Sequence, residues 1–180
     1  MVFAEENTAT KVMVDEPLPK VARMQRQEGA TIILDEVASD SWQEGEEFVL
    51  RLPSDMVWTS NTRVNGVRVS TLNIDGRLLT VKPRVTSGLD SVVIDTNFDI
   101  PRNASLGLVE VSFTKGPIDT QNVTIEIAEI SDYAVKMSAP KQNLKFGDIQ
   151  PKNITVTIEE VIPGSIIANT NYEMVLEGAT

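Results

Sequence analysis

Glu47-Phe48-Val49-Leu50-Arg51-Leu52-Pro53 decides the fold class. Phe48, Leu50 and Leu52 recur at every second position. That is the period of an extended strand with one buried face, not the 3.6-residue period of a helix. Pro53 closes the run, because proline has no amide hydrogen to give to a ladder. The same period extends outward in both directions. Upstream, Thr31-Ile32-Ile33-Leu34-Asp35 is an apolar, β-branched run. Downstream, Ser91-Val92-Val93-Ile94, the segment 106–113 through Leu108, Val109 and Val111, and Asn122-Val123-Thr124-Ile125-Glu126-Ile127-Ala128 read as further strands. Asn65-Gly66, between valines at 64 and 67, predicts a hairpin. Asp75-Gly76, between Leu72-Asn73-Ile74 and Arg77-Leu78-Leu79-Thr80-Val81, predicts a second. No window sustains a helical apolar stripe with caps, and the one candidate turn covers residues 37–44. The ten Gly and nine Pro separate short strands at regular intervals. The fold class expected is therefore all-β, an antiparallel β-sandwich.

The chain also resembles itself. Leu34-Asp35-Glu36-Val37 matches Ile158-Glu159-Glu160-Val161. At the same offset Phe48, Leu50 and Leu52 fall on Tyr172, Met174 and Leu176. Upstream, with a small gap, the segment 14–20 matches 135–141, both ending in Pro-Lys. This spacing predicts three parts. Residues 1–16 are polar and charged, with Val12 and Val14 as their only pattern, and read as a tail or an added edge strand. Residues 17–136 form a β-sandwich domain. Residues 137–180 hold the opening strands of a second, incomplete repeat. Such a fragment cannot bury its own apolar face. Ile154, Val156, Ile158, Tyr172, Met174 and Leu176 are therefore candidate assembly residues, seeking cover from the first domain, from an adjacent repeat or from another copy of the chain.

Composition narrows the chemistry. The 180 residues include 16 Lys+Arg and 26 Asp+Glu, a formal net charge of −10, with no His and no Cys. Without those two residue types there is no disulfide framework, no thiolate nucleophile, no imidazole base and no imidazole- or thiolate-bound metal. The acidic balance argues against a nucleic-acid partner. No run of some 18 apolar residues is present, so membrane insertion is not expected. Val2-Phe3-Ala4 ends in the small-residue pattern of a signal-peptidase site, which predicts a secreted protein processed near Ala4.

The order Ile33-Leu34-Asp35-Glu36-Val37, then Gly45-Glu46-Glu47-Phe48-Val49-Leu50-Arg51-Leu52-Pro53, then Trp58, resembles a repeat of secreted bacterial surface proteins. Lys145-Phe146-Gly147-Asp148-Ile149 resembles the lead-in to the next such repeat. These are the copper amine oxidase-like or stalk-domain proteins, and the likeness covers most of 17–180. It implies tandem Ig-like or cohesin-like sandwiches on a cell exterior. It does not imply copper chemistry, which in amine oxidases needs histidine ligands.

Candidate sites are few. Asp35, Glu36, Asp40 and Glu44, with Glu46 and Glu47 beside them, are weak calcium candidates, since hard cations want several oxygens, but the Asp-x-Asp-x-Asp-Gly spacing is missing. Asp95 and Asp99 are weaker still. The bland reading of this cluster is an acidic edge that deters edge-to-edge pairing. Trp42 lies among polar residues and is the candidate for stacking on a sugar ring, whereas Trp58, beyond Pro53, is expected to plug the end of the core. The sequons at Asn103, Asn122 and Asn153 carry no meaning in a bacterial protein. No cofactor and no catalytic constellation is expected. The sequence predicts a non-catalytic, secreted structural module acting through strand edges and inter-repeat contacts. A carbohydrate-binding module of a cell-wall protein, with wall polysaccharide as partner, is the alternative.

Overall fold

Alternation of buried and outward side chains carries this chain from strand to strand. The computed structural model describes residues 2–3, 9–66, 69–84, 88–117, 120–132, 135–139, 155–162 and 165–166. In chain order the strands are β1 (Val2–Phe3), β2 (Thr10–Val14), β3 (Lys20–Val21), β4 (Gln27–Glu28), β5 (Ile32–Glu36), β6 (Phe48–Arg51), β7 (Val57–Trp58) and β8 (Arg63–Gly66). They continue with β9 (Val69–Asp75), β10 (Leu78–Pro83), β11 (Ser91–Asp95), β12 (Asn97–Asp99), β13 (Gly107–Lys115), β14 (Thr124–Ile130), β15 (Val135–Ser138) and β16 (Thr157–Glu160). The fold is all-β, with no helix among the described residues. Residues 37–44 form bends and turns rather than a helical turn. The chain divides into two units, Met1–Asp132 and Tyr133–Thr180.

In the first unit a five-stranded sheet runs β1-β2-β5-β11-β8, antiparallel throughout. A six-stranded sheet runs β3-β14-β13-β6-β10-β9, antiparallel except where β3 joins β14 in parallel. A small sheet, β4-β12-β7, completes the unit. The two large sheets are sandwich-like in that they feed one apolar core. Val12, Ile32, Leu34, Val92 and Ile94 come from the five-stranded sheet, and Phe48, Leu50, Leu79, Val81, Val109, Val111, Phe113 and Ile127 from the six-stranded one. Full burial of each such side chain stabilises by roughly 1.5–3 kcal/mol. The face read from the sequence holds, with Phe48, Leu50 and Leu52 all fully buried.

Within residues 1–16, β1 lies at the edge of the five-stranded sheet and β2 lies between β1 and β5, where it buries Thr10, Val12 and Val14. One sequence reading needs correction: Asn65-Gly66 does not close a hairpin. β8 pairs with β11 in one sheet, and β9 pairs with β10 in the other, so the chain changes sheets after Gly66. Gly66 is needed for a different reason. Its φ is +97°, and a Cβ there would lie 2.5 Å from the Ser91 carbonyl oxygen. The Asp75-Gly76 hairpin does form. Asp75 pairs with Leu78, and Gly76 takes a positive φ in the first loop position, where a type II′ turn wants glycine.

Candidate functional site

Glu36 ends β5 on the inward parity of Ile32 and Leu34, so a carboxylate sits where the pattern calls for an apolar residue. It is 4% exposed. Its Oε1 accepts the Trp42 backbone N–H at 2.8 Å and the Ser41 hydroxyl at 3.3 Å. Its Oε2 accepts the Asp90 backbone N–H at 3.1 Å, while the Glu36 N–H donates to the Asp90 carbonyl at 2.8 Å. One side chain thus ties the loop after β5 to the approach of β11. Buried backbone donors need such partners, and this carboxylate supplies them.

Trp42 follows from the same contact. Its position in a polar stretch suggested an exposed ring, yet it is 2% exposed. Its indole Nε1–H donates to Thr10 Oγ1 at 2.8 Å, and its ring meets Phe48 edge-on at 5.1 Å between centroids. Pinned by Glu36, the loop folds its tryptophan into the core, so the ring has no free face for a sugar. Trp58 plugs the core as expected and meets Phe98 edge-on at 6.3 Å. Its indole N–H has no hydrogen-bond partner among the described residues.

The calcium candidates do not converge. Asp35 and Glu36 are adjacent in a strand, so their side chains leave opposite faces. Asp35 Oδ1 accepts the Ser91 hydroxyl at 2.6 Å. Asp40 and Glu44 are exposed, and Asp40 holds a positive φ of 64° in the turn. Asp95 accepts Asn65 Nδ2 at 2.8 Å, and Asp99 accepts the Arg26 N–H at 2.7 Å. Among the described residues no three acidic side chains gather into a metal-binding group.

Two concavities of the first unit differ in chemistry. A cavity of about 230 Å³ lies between β2 and β14, walled by Val12, Val14, Leu18 and Ile125. An open groove is lined by Glu28, Thr31, Asn61, Arg63, Asp95 and Asn97. It offers hydrogen bonds but no aromatic platform among its lining residues.

The most informative geometry lies at strand edges. In the first unit β9 is the outer strand of the six-stranded sheet, and Leu72 is exposed there. In the second unit β15 pairs with β16 in the register of β2 with β5. Val135 faces Glu160, Lys136 faces Glu159, and Met137 faces Ile158. In the first unit Thr10 faces Glu36, Lys11 faces Asp35, and Val12 faces Leu34. The loops agree as well. The Ile166 N–H donates to Glu160 Oε1 at 2.7 Å, six residues on, as the Trp42 N–H does to Glu36. The Ser165 N–H meets the Ile162 carbonyl at 3.1 Å, as the Ser41 N–H meets that of Ala38 at 3.0 Å. These ladders correct the upstream match, because they set residues 135–138 against 10–13 rather than against 14–17.

No protein-family model matches this chain, and no curated protein sequence does either.

What separates the two strand pairs is cover. Val12 and Leu34 are buried, whereas Met137 is 52% exposed, Val135 and Val156 are exposed, and Ile158 is half-buried. Ile154, Tyr172, Met174 and Leu176, the other assembly candidates, lie outside the described residues. Sequence reasoning missed the buried role of Glu36. Its signal was present: an acid on the inward parity of a strand, with a copy at Glu160.

Proposed function

We propose that this chain is a non-catalytic structural module of a secreted, cell-surface assembly, working through strand edges and contacts between repeats. In this reading residues 1–132 are an Ig-like or cohesin-like sandwich, and residues 133–180 carry the opening strands of a second one. The observation that carries it is the repetition, in register, of the β2–β5 pair and its glutamate-held loop by β15, β16 and Glu160. A strand pair built for a core but exposed on its apolar positions favours association over solitude. Secretion rests on the resemblance to bacterial surface repeats. The burial of both tryptophans favours this reading over sugar stacking.

Sedimentation of the 180-residue chain against a chain ending at residue 132 tests the reading. The full chain is expected to associate as concentration rises, and the shorter one to remain a monomer. Equal association of the two, or a full chain that stays monomeric at every concentration, would overturn it.

A further inference from the structure

In the first unit the edge of β5 away from β2 is covered by β11, which supplies what the equivalent edge of β16 lacks among the described residues. The cover has a defined chemistry. Ser91 faces Asp35 and donates its hydroxyl to that carboxylate, Val92 faces Leu34, and Ile94 faces Ile32. The sequence of β11 is Ser91-Val92-Val93-Ile94-Asp95. One other segment of the chain repeats that order of polar, apolar, variable, isoleucine and aspartate: Thr71-Leu72-Asn73-Ile74-Asp75, in β9. β9 is the outer strand of its own sheet, and among the described residues no strand pairs with its far edge. Leu72 and Ile74 lie opposite Val81 and Leu79, both fully buried, which places them on the apolar face of that sheet.

We propose that β9 of one copy adds to the edge of β16 that no described strand covers in a second copy, in the place that β11 takes beside β5. Transferring the β5–β11 register sets Thr71 against Glu159, Leu72 against Ile158 and Ile74 against Val156. Thr71 then offers its hydroxyl to Glu159 as Ser91 does to Asp35. The apolar residues of β9 continue the face of Ile158 and Met137, which is the face short of cover. Donor and acceptor are different surfaces of the same chain, so the contact is heterologous. Such contacts run head to tail into an open series rather than closing as a two-fold dimer. β-strand addition of this kind draws affinity from main-chain bonds and specificity from alternate side chains.

This inference rests on the assembly reading above, and a complementation experiment separates the two. Full-length Leu72→Lys loses the donor edge and keeps the acceptor. Full-length Ile158→Lys does the reverse. By light scattering, the wild type is expected to form a concentration-dependent series, and each variant alone to be a monomer. Their equimolar mixture should give one-to-one dimers and nothing larger. The milder Leu72→Ser, at an exposed position, is expected to weaken association by roughly tenfold or more. Both tryptophans lie in the first unit, so unchanged tryptophan emission shows that unit to be folded in each variant, and unchanged far-ultraviolet dichroism shows that the strands of the second unit persist in Ile158→Lys. Variants that assemble like the wild type while the chain ending at residue 132 does not would leave the assembly reading standing and refute the β9–β16 contact. A folded mixture that stays monomeric would refute the contact too.

Discussion

Replacing Glu36 tests the central polar contact of the first unit. The carboxylate satisfies two backbone donors, the amides of Trp42 and Asp90, from a site 4% exposed. In Glu36→Gln one oxygen becomes an NH₂ group, so one of those amides faces a donor instead of an acceptor. Leaving a buried donor unpaired costs about 1–3 kcal/mol, which puts Gln at about 2 kcal/mol. In Glu36→Ala both amides lose their partner, and the cost rises to about 4 kcal/mol by the same reckoning. A domain is stable by only about 5–15 kcal/mol, so the second variant approaches the limit. Urea titration read by tryptophan emission gives both values. It also reports locally, because Trp42 is the residue the carboxylate holds, and its emission should shift to the red before global unfolding. A Glu36→Gln midpoint that leaves stability within about 0.5 kcal/mol of the wild type would refute the reasoning, since that is the range of surface changes that touch nothing.

Two other outcomes follow from the same framework. Leu50→Asp places a carboxylate at a fully buried position of β6 and is expected to unfold the first unit, because an isolated buried charge costs several kcal/mol. A soluble variant with native near-ultraviolet dichroism would mean that the register of β6 is shifted by one residue. Glu47 bears on acid stability. Lys115 Nζ lies 2.7 Å from its Oε2, and that hydrogen bond and charge, aided by the charge of Lys82 and opposed by desolvation, hold the carboxyl below its ordinary value of 4.5. A depressed value in the folded state stabilises above the ordinary value, and that contribution is lost as pH falls through the folded one. Glu47→Gln should therefore flatten the fall in stability below pH 4.5. An acid limb identical to that of the wild type would show that the pair contributes nothing.

What was legible in the sequence was local, and what was missed was not. The alternation in β6 and β14 needs only neighbouring residues; β6 stands within the stretch the pattern marked, and β14 overlaps its stretch, running on to Ile130 with Ile127 and Ala128 both buried. Asn65-Gly66 misled because hairpin chemistry is also local, whereas the partner of β8 lies in β11, far along the chain. Trp42 misled because its neighbours Ser39, Asp40, Ser41, Gln43 and Glu44 are polar. Their polarity reflects the outer surface of a loop whose inner surface is set by Glu36. Glu36 sits among other acids in the sequence, and only its parity in β5 separates it from Asp35. The upstream half of the internal match slipped because the shared Pro-Lys drew the alignment, while the ladders align residues by their cross-strand partners.

The parallel pairing of β3 with β14 has a consequence for the order in which the first unit can form. Lys20 and Val21 find their partners, Glu129 and Ile130, only at the far end of that unit. Glu36 likewise waits for Asp90. β2 and β5 are close enough in sequence to pair early, but a nascent chain holding only these two displays an uncapped acid and two unsheltered apolar rows. Topologies dominated by such distant partners fold slowly, and their half-made forms expose edges. Nearly all of the first unit must therefore leave the ribosome before any part of it is safe from its neighbours.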